Sequence, residues 1–588
     1  MNFIERGKKR VLKRSRRIIF MGILFSICFF IIALKAFYLQ TLQEDVLSRR
    51  ALKEYRRAGR SMAKRGAIYD AKMRELAVST GVVAIGAHPK QIVKPKMTAA
   101  LIAKTLKVSN SKIMGKMLSH KSFVWITRDA SPDRAAVLKK AVADGLEFYP
   151  SYTRIYPNKT LAAQVIGITG LNEKALEGLE FYYDDYLKGN ARKWTYIRDA
   201  IGRIYMRTEE SRDGGEGKNL VLTIDGNIQY IVEQAIKKAV NRFNARSAMA
   251  IVMTPASGAI LALANYPLFN PNSYNRFPRE IWRNRAVTDP FEPGSTMKVF
   301  LAAAALESGK CTPETIVDCE NGKYTIFDKV IHDTHPHGLL SLFEVVKYSS
   351  NIGAAKIAEI IGPKALYDTL TDCGFGEKTG IDAPGETSGM LRNYLAWQPI
   401  DNATIAFGQG ISVSALQLIT GVCAVANDGL LVQPRIVDRI TNADGTVLKK
   451  YAPRVVRRAF SQSVARNVRE MMRAVTMPDG TGPQAVPKGY TVCGKTGTAQ
   501  IINSRGTYEH CDYNALFVGF SPARNPKLAV LVVVNAPQGS HYGGVVAAPA
   551  FREILRKSFN YLNIPPERQV EEKNEKKGQA GSSVGEGK

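Results

Sequence analysis

The chain has 588 residues, 45% of them hydrophobic, and a formal net charge of +30. That length exceeds a single hydrophobic core and points to two or three domains, and the apolar content is that of ordinary globular protein. The basicity does not indicate nucleic acid, because no basic–aromatic patch of RNA- or DNA-binding type occurs.

Taken in chain order, the charge starts at the N-terminus, where the first 17 residues hold eight Lys/Arg and one Glu. An uncharged apolar run follows at 18–34, about 26 Å long as a helix. Lys35 can snorkel, and residues 36–39 extend the span to about 33 Å with Tyr38 at the interface. A transmembrane helix over 18–39 is predicted. The positive-inside bias puts residues 1–17 in the cytoplasm and the body outside it. A cleaved signal peptide is the alternative, but the run is long for one and no clear A-x-A site follows. Basic residues along 49–65 read as a solvated face or as a surface drawn to anionic polymers and lipid headgroups.

Residues 40–215 alternate short apolar and charged stretches and are expected to form an elongated, mixed α/β pedestal. The polar, Gly-rich stretch 211–218 marks a boundary. A strand is predicted over 220–224. A helix follows over 226–242, with Ile228, Ile231, Val232, Ala235 and Ile236 at helical spacing. A hairpin is predicted from 248–253 and 259–264 around Pro255-Ala256-Ser257-Gly258. Strand-like runs return at 515–520 and 528–534, before a last helix near 547–558. Strands at both ends with helices between imply, for a domain at 218–562, an α/β (α+β) fold in which one antiparallel sheet is covered by helices. The Glu/Lys/Gly/Ser-rich stretch 565–588 is expected to be disordered.

Seven cysteines, an odd number without a framework, argue against a disulfide-built fold, although Cys311 and Cys319 would close a short loop. Cys493 reads as a buried strand residue. His332, Asp333, His335 and His337 resemble metal ligands, but Pro336 and Gly338 make this a turn and no outlying ligand is suggested, so a structural loop without metal is expected.

Three short words carry the chemistry: Ser295-Thr296-Met297-Lys298, then Ser349-Ser350-Asn351, then Lys495-Thr496-Gly497. Each is weak alone. Ser61…Lys64 and Ser109…Lys112 also read S-x-x-K, Lys378-Thr379-Gly380 reads K-T-G, and Ser273-Tyr274-Asn275 reads S-x-N. Context separates them. Ser295 follows the turn Phe291-Glu292-Pro293-Gly294 and precedes an Ala-rich apolar run, which places it at the N-terminus of a buried helix with Lys298 one turn later on the same face. Helix-like sequence flanks Ser349-Ser350-Asn351 on both sides, so the word sits at a helix–helix break. Lys495 lies in β-like sequence between Gly494 and Gly497. Together these residues supply a nucleophile, two amines and a hydroxyl to move its proton, and an amide and a cation to hold a carboxylate. That is the equipment for acyl transfer through a serine ester.

The chain resembles the class B penicillin-binding proteins, the monofunctional peptidoglycan D,D-transpeptidases. The phrase Arg283-Asn284-Arg285-Ala286-Val287-Thr288-Asp289-Pro290-Phe291-Glu292-Pro293-Gly294-Ser295 is similar to that of the cell-division member. In the pedestal, Arg65-Gly66-Ala67-Ile68-Tyr69-Asp70, Tyr156-Pro157 with Val165-Ile166-Gly167, and Gly178-Leu179-Glu180 also fit. Asp70 is followed by Ala71-Lys72-Met73 where the family has Arg-Asn-Gly, which puts the local turn in question.

The resemblance implies a penicillin-binding/serine β-lactamase-like domain on the pedestal, no cofactor, and a septal enzyme of the cell inner membrane whose catalytic domain is periplasmic. It implies that Ser295 attacks a D-Ala–D-Ala stem peptide, with Lys298 as base, Ser349 as proton relay and the N–H groups of Ser295 and Thr498 as oxyanion hole. Asn351, Lys495, Thr496, Gly497 and Thr498 bind substrate. Desolvation and the charge of Lys495 are expected to lower the Lys298 pKa. The implied partners are peptidoglycan stem peptides, β-lactam antibiotics, a SEDS-family glycan polymerase and other divisome membrane proteins. A β-lactamase remains the rival, although no E-x-x-L-N loop is found; a D,D-carboxypeptidase would differ only in using water as acceptor, and a silent scaffold would leave Ser295 a relic.

Overall fold

The computed structural model describes residues 2–48, 56–60, 63–142, 145–190, 193–198, 204–209, 215–326, 329–501 and 512–567. They fall into two compact units: Met1–Ala63 with Asn190–Gly215, and Lys64–Gly189 with Glu216–Lys588.

In the first unit, the helix Asn2–Phe37 runs into a π-helical turn at Tyr38–Leu42. The stretch Arg14–Leu42 is long and apolar enough to cross a membrane. Its 29 residues reach about 44 Å, more than the hydrocarbon core of about 30 Å requires. The helix therefore starts well before the predicted residue 18. The same unit holds an antiparallel sheet of Arg56–Arg60, Lys193–Arg198 and Ile204–Glu209.

The second unit contains two large sheets. One has seven strands, with Glu75–Ala87 paired to both Val124–Ala130 and Leu146–Ile155. Its strand Asn219–Leu222 pairs in parallel with Ile68–Tyr69 and antiparallel with Val437–Thr441. Sequence on both sides of residue 215 thus shares one sheet. The helices Pro95–Leu106, Asn110–Met117 and Pro132–Ala141 pack Ile102, Ile113 and Leu138 onto Ile85 and Ile126. The pedestal residues singled out in the sequence meet in a buried ion cluster. Glu180 accepts from Arg65 Nε and Arg154 Nε, both at 2.6 Å, and all three are at most 8% exposed. A carboxylate bonded by two guanidinium groups tolerates burial that a lone charge would not. At the departure after Asp70 the turn still forms. The Asp70 carboxylate accepts from Lys72 N and Arg74 N at 2.8 and 2.9 Å, and Met73 takes the left-handed conformation (φ +61°).

The other sheet is antiparallel throughout, in the order Ile260–Tyr266, Ser247–Met253, Leu528–Asn535, Tyr513–Ser521, Cys493–Gln500. The helices Gly226–Arg242 and Ala548–Tyr561 cover one face through Ile228, Val232, Ile236, Phe551 and Leu555. The other face packs against the wholly buried helix Ala415–Ala426 and the helix Lys298–Glu307. Residues 565–567, expected to belong to the disordered tail, are held against the domain. Tyr490 Oη donates to the Ile564 carbonyl at 2.7 Å, and the Glu567 carboxylate takes both N and Oγ1 of Thr491. The rest of that stretch, 568–588, lies outside the described residues. The thiols of Cys311 and Cys319 are free and buried, so the loop between them is not closed by a bridge.

Candidate active site

The nucleophile turn is shaped by what sits against it. Phe291 exchanges two backbone hydrogen bonds with Val413, both at 2.9 Å, which fixes the approach to Pro293-Gly294. Gly294 has φ +55°, and a Cβ there would come 2.7 Å from the Thr498 carbonyl, so both conformation and space demand glycine. A short 3₁₀ turn, Gly294–Met297, carries Ser295 and feeds the α-helix Lys298–Glu307. Ser295 is half-buried at the cleft surface, while Lys298 below it is fully buried.

The second word occupies the predicted break. The helix Leu342–Tyr348 starts with a Ser341–Glu344 capping box and stops at Ser349, which is left-handed at φ +65°. That conformation costs a non-glycine residue about 1–2 kcal/mol, and it directs both oxygens of Ser349 toward Lys298. Ser350 then caps the helix Asn351–Ile361 through Gly353 N at 2.9 Å. The third word lies on the edge strand Cys493–Gln500, with Lys495 opposite Val518. Strand alternation puts Lys495 on the face that packs on the nucleophile helix, and Thr496 and Thr498 on the other. There Thr496 Oγ1 meets Thr481 Oγ1 at 3.0 Å, and Thr498 Oγ1 lies 3.4 Å from Gly543 N.

The three words converge on two amines. Lys298 Nζ lies 2.9 Å from Ser295 Oγ, 2.7 Å from the Ser349 carbonyl, 3.3 Å from Ser349 Oγ and 2.7 Å from Asn351 Oδ1. Lys495 Nζ lies 2.8 Å from Ser349 Oγ and 3.2 Å from the Thr496 carbonyl. The Ser349 hydroxyl therefore bridges the amines. The carbonyl oxygens of Ser349 and Asn351 can only accept, so they take two N–H groups of Lys298. If the amine is neutral, its lone pair is left facing the Ser295 hydroxyl.

Electrostatics favour that state. Burial pushes the Lys298 amine down to about 7, with Asp333 opposing. Burial and then the charge of Lys298 hold Lys495 well below its ordinary value. Of the two expected causes, desolvation is the larger on Lys298, and the repulsion between the two amines, mutual by nature, falls on Lys495 as well. Two buried ammonium groups sharing one hydroxyl cannot both stay charged, and one proton between them is the arrangement the site supports.

Of the eight predicted residues, Ser295, Lys298, Ser349, Asn351 and Lys495 meet directly, Thr496 Oγ1 lies 3.5 Å from Lys495 Nζ, and Gly497 and Thr498 are brought near by the strand they share with Lys495. Asp333, read from sequence as part of a structural loop, is the residue that was missed. Its Oδ1 accepts from Asn351 N at 2.5 Å and Ile352 N at 3.1 Å, and its Oδ2 from Ser350 Oγ at 2.5 Å. The adjacent His332 carbonyl accepts from Asn351 Nδ2 at 3.0 Å, and His337 stacks on Tyr348. Among the described residues no group of three or more His, Cys, Asp or Glu could hold a metal. The only sequence signal for Asp333 was indirect: the helix starting at Asn351 has free N–H groups that an acid can satisfy.

Residues 248–556 match the penicillin binding protein transpeptidase domain, and residues 60–222 the penicillin-binding protein dimerisation domain. The chain is 33% identical over 569 residues to "Probable peptidoglycan D,D-transpeptidase PenA" of Neisseria meningitidis, covering 96% of this chain and 95% of the relative. It belongs to the class B penicillin-binding proteins. Another member, "Peptidoglycan D,D-transpeptidase FtsI" of Escherichia coli, is 32% identical over 540 residues, 90% of this chain and 89% of that one. Among solved structures, penicillin binding protein 3 from Mycobacterium tuberculosis, complexed with aztreonam, superposes with a TM-score of 0.68 at 28% identity, covering 86% of this chain and 99% of that one. The chain is accordingly a serine-type peptidoglycan D,D-transpeptidase, and its fold is that of the penicillin-binding proteins.

Proposed function

We propose that this penicillin-binding protein is the septal crosslinking enzyme of its cell, working through an acyl-enzyme on Ser295 that β-lactams also form. The observation that carries the reading is the buried Lys298 amine, 2.9 Å from Ser295 Oγ and brought down to about 7 by burial. As free base, Lys298 takes the Ser295 proton while Oγ attacks the carbonyl between the last two D-alanines. The backbone N–H groups of Ser295 and Thr498 receive the oxyanion. Lys495, with Thr498 beside it, holds the terminal carboxylate. That anion favours the protonated form of Lys495, and the charge on Lys495 in turn favours a neutral Lys298 by repulsion. Asn351 fixes Lys298 and the substrate amide, Thr496 braces the strand through Thr481, and Gly497 lets the strand approach Thr296 closely. Ser349, between the two amines, passes the proton to the departing D-alanine nitrogen. An amine of a second stem then resolves the ester.

In this reading residues 40–215 serve as pedestal and 218–562 as the transpeptidase domain. The apolar helix spans the inner membrane with its basic N-terminus in the cytoplasm and the cleft in the periplasm, where a SEDS-family glycan polymerase and other divisome proteins would meet the chain. Similarity to the enzyme named FtsI and the phrase 283–295 support the septal assignment. The test is labelling of membranes with a fluorescent penicillin, followed by peptide mass spectrometry. The adduct is expected on Ser295 and absent from Ser295→Ala. A tagged chain is expected at the septum; an even distribution along the lateral wall would refute the division role.

A further inference from the structure

A second recess lies at the far end of the strand that carries Lys495. It has a volume of about 320 Å3. It is lined by Met249, Val533 and Asn514, by residues 289–292 leading into the nucleophile turn, and by Gln500. Lys495 and Gln500 are five residues apart, about 17 Å along a strand. An occupant here is separate from one held by Lys495, yet it leans on the segment that ends at Ser295.

Several donor groups lining the recess have no partner among the described residues. The Arg285 guanidinium makes no ion pair or hydrogen bond among the described residues. Asn514 is 6% exposed; its side-chain oxygen accepts from Asn535 at 2.9 Å, and its NH2 has no partner among the described residues. The hydroxyl of Ser247, also 6% exposed, is in the same position. The acids at the rim are engaged: Asp289 pairs with Arg283 and takes the Thr288 hydroxyl, and Glu292 accepts from Gly410 N at 2.9 Å. These donors border the open recess, where an acceptor arriving from outside can reach them. One unpaired guanidinium with amide and hydroxyl donors is a carboxylate-binding set. The volume, at the lower end of ligand sites of about 300–1,000 Å3, suits a peptide end.

Crosslinking joins two stem peptides, each with a carboxylate, and Lys495 accounts for the donor's. We propose that the recess is a second carboxylate subsite, in which Arg285 and Asn514 hold the carboxylate of the acceptor stem while its amine reaches the acyl-enzyme. The amine nitrogen bonds to the ester carbonyl carbon, the bond from that carbon to Ser295 Oγ breaks, and the amine's proton passes through Lys298 to Oγ. Released D-alanine is the other source of a small carboxylate. The inference rests on the Ser295 acyl-enzyme of the proposed function.

The test uses the full-length protein in detergent, a thioester donor, and one acceptor peptide prepared with a free carboxylate and as its carboxamide. Arg285→Gln is expected to raise KM for the carboxylate acceptor about tenfold. KM for the carboxamide should stay within about twofold, and Arg285→Lys should recover part of the loss. Fluorescent penicillin labelling of each variant reports folding and the first half-reaction. Equal effects on both acceptors, or no effect on either, would overturn the subsite. If D-alanine instead inhibits the parent but not Arg285→Gln, with acceptor KM unmoved, the acceptor assignment is overturned and the product is the occupant. Failure of the parent to label at all would refute the acyl-enzyme reading instead.

Discussion

Replacing Asp333 by Asn probes the site through a residue that touches neither reacting atom. The carboxylate bonds Asn351 N, Ile352 N and Ser350 Oγ, and so sets the start of the helix that presents Asn351 to Lys298. An amide keeps one acceptor oxygen but turns NH2 toward one side and removes the charge. Losing one charge-assisted hydrogen bond costs about 1.5–3 kcal/mol, and the lost charge at a helix N-terminus about 0.3–1 kcal/mol. If about 2 kcal/mol of that total reaches the transition state, acylation slows about 30-fold. A second effect has a definite sign. The Asp333 charge raises the Lys298 pKa against the burial that brings it to about 7. Removing it lets Lys298 fall further, so the acid limb of the rate profile must move to lower pH. Second-order acylation rates with a fluorescent penicillin, measured across about pH 5 to 9, read both effects. An unchanged plateau with an unmoved limb, or a limb moved to higher pH, would refute the coupling of Asp333 to Lys298.

Other substitutions test neighbouring parts. Gly294→Ala forces a side chain into a left-handed position and against Thr498, at a cost of about 1–3 kcal/mol; acylation should fall at least tenfold with circular dichroism unchanged. Thr481→Val removes the 3.0 Å partner of Thr496, worth about 0.5–1.5 kcal/mol, and should raise donor KM about fivefold with little change in kcat. Glu567→Ala leaves Thr491 N without its carboxylate and should lower Tm by about 2–4 °C, read by scanning calorimetry, while penicillin labelling continues.

Much of the architecture was legible because its signals are local. The helix Gly226–Arg242 matches its predicted bounds, since Ile228, Val232, Ala235 and Ile236 at helical spacing face one sheet. The hairpin strands Ser247–Met253 and Ile260–Tyr266 and the pair Tyr513–Ser521 and Leu528–Asn535 follow alternation or unbroken β-branched runs. Strand Asn219–Leu222 was found but not its partners: its pairing with Ile68–Tyr69 joins residues some 150 positions apart, which no local pattern encodes. At the site, the words named the two amines and the hydroxyls of Ser295 and Ser349 that meet them, because residue type alone limits what can deprotonate a serine. Asp333 stayed hidden for the opposite reason. An acid beside three histidines suggests several roles, and only the folded chain brings its oxygens to Ser350 and Asn351. The desolvation of Lys298 was expected from the apolar run that follows it, and burial is the larger cause of its lowered pKa.

The central claim is that an uncharged Lys298 takes the Ser295 proton. The pH dependence of acylation in the unaltered protein tests it most directly. The rate should rise with pH, reach half its maximum near the Lys298 value of about 7, and then level off. A rate still climbing toward the ordinary lysine value of 10.5, or one with no limb in that range, would contradict it.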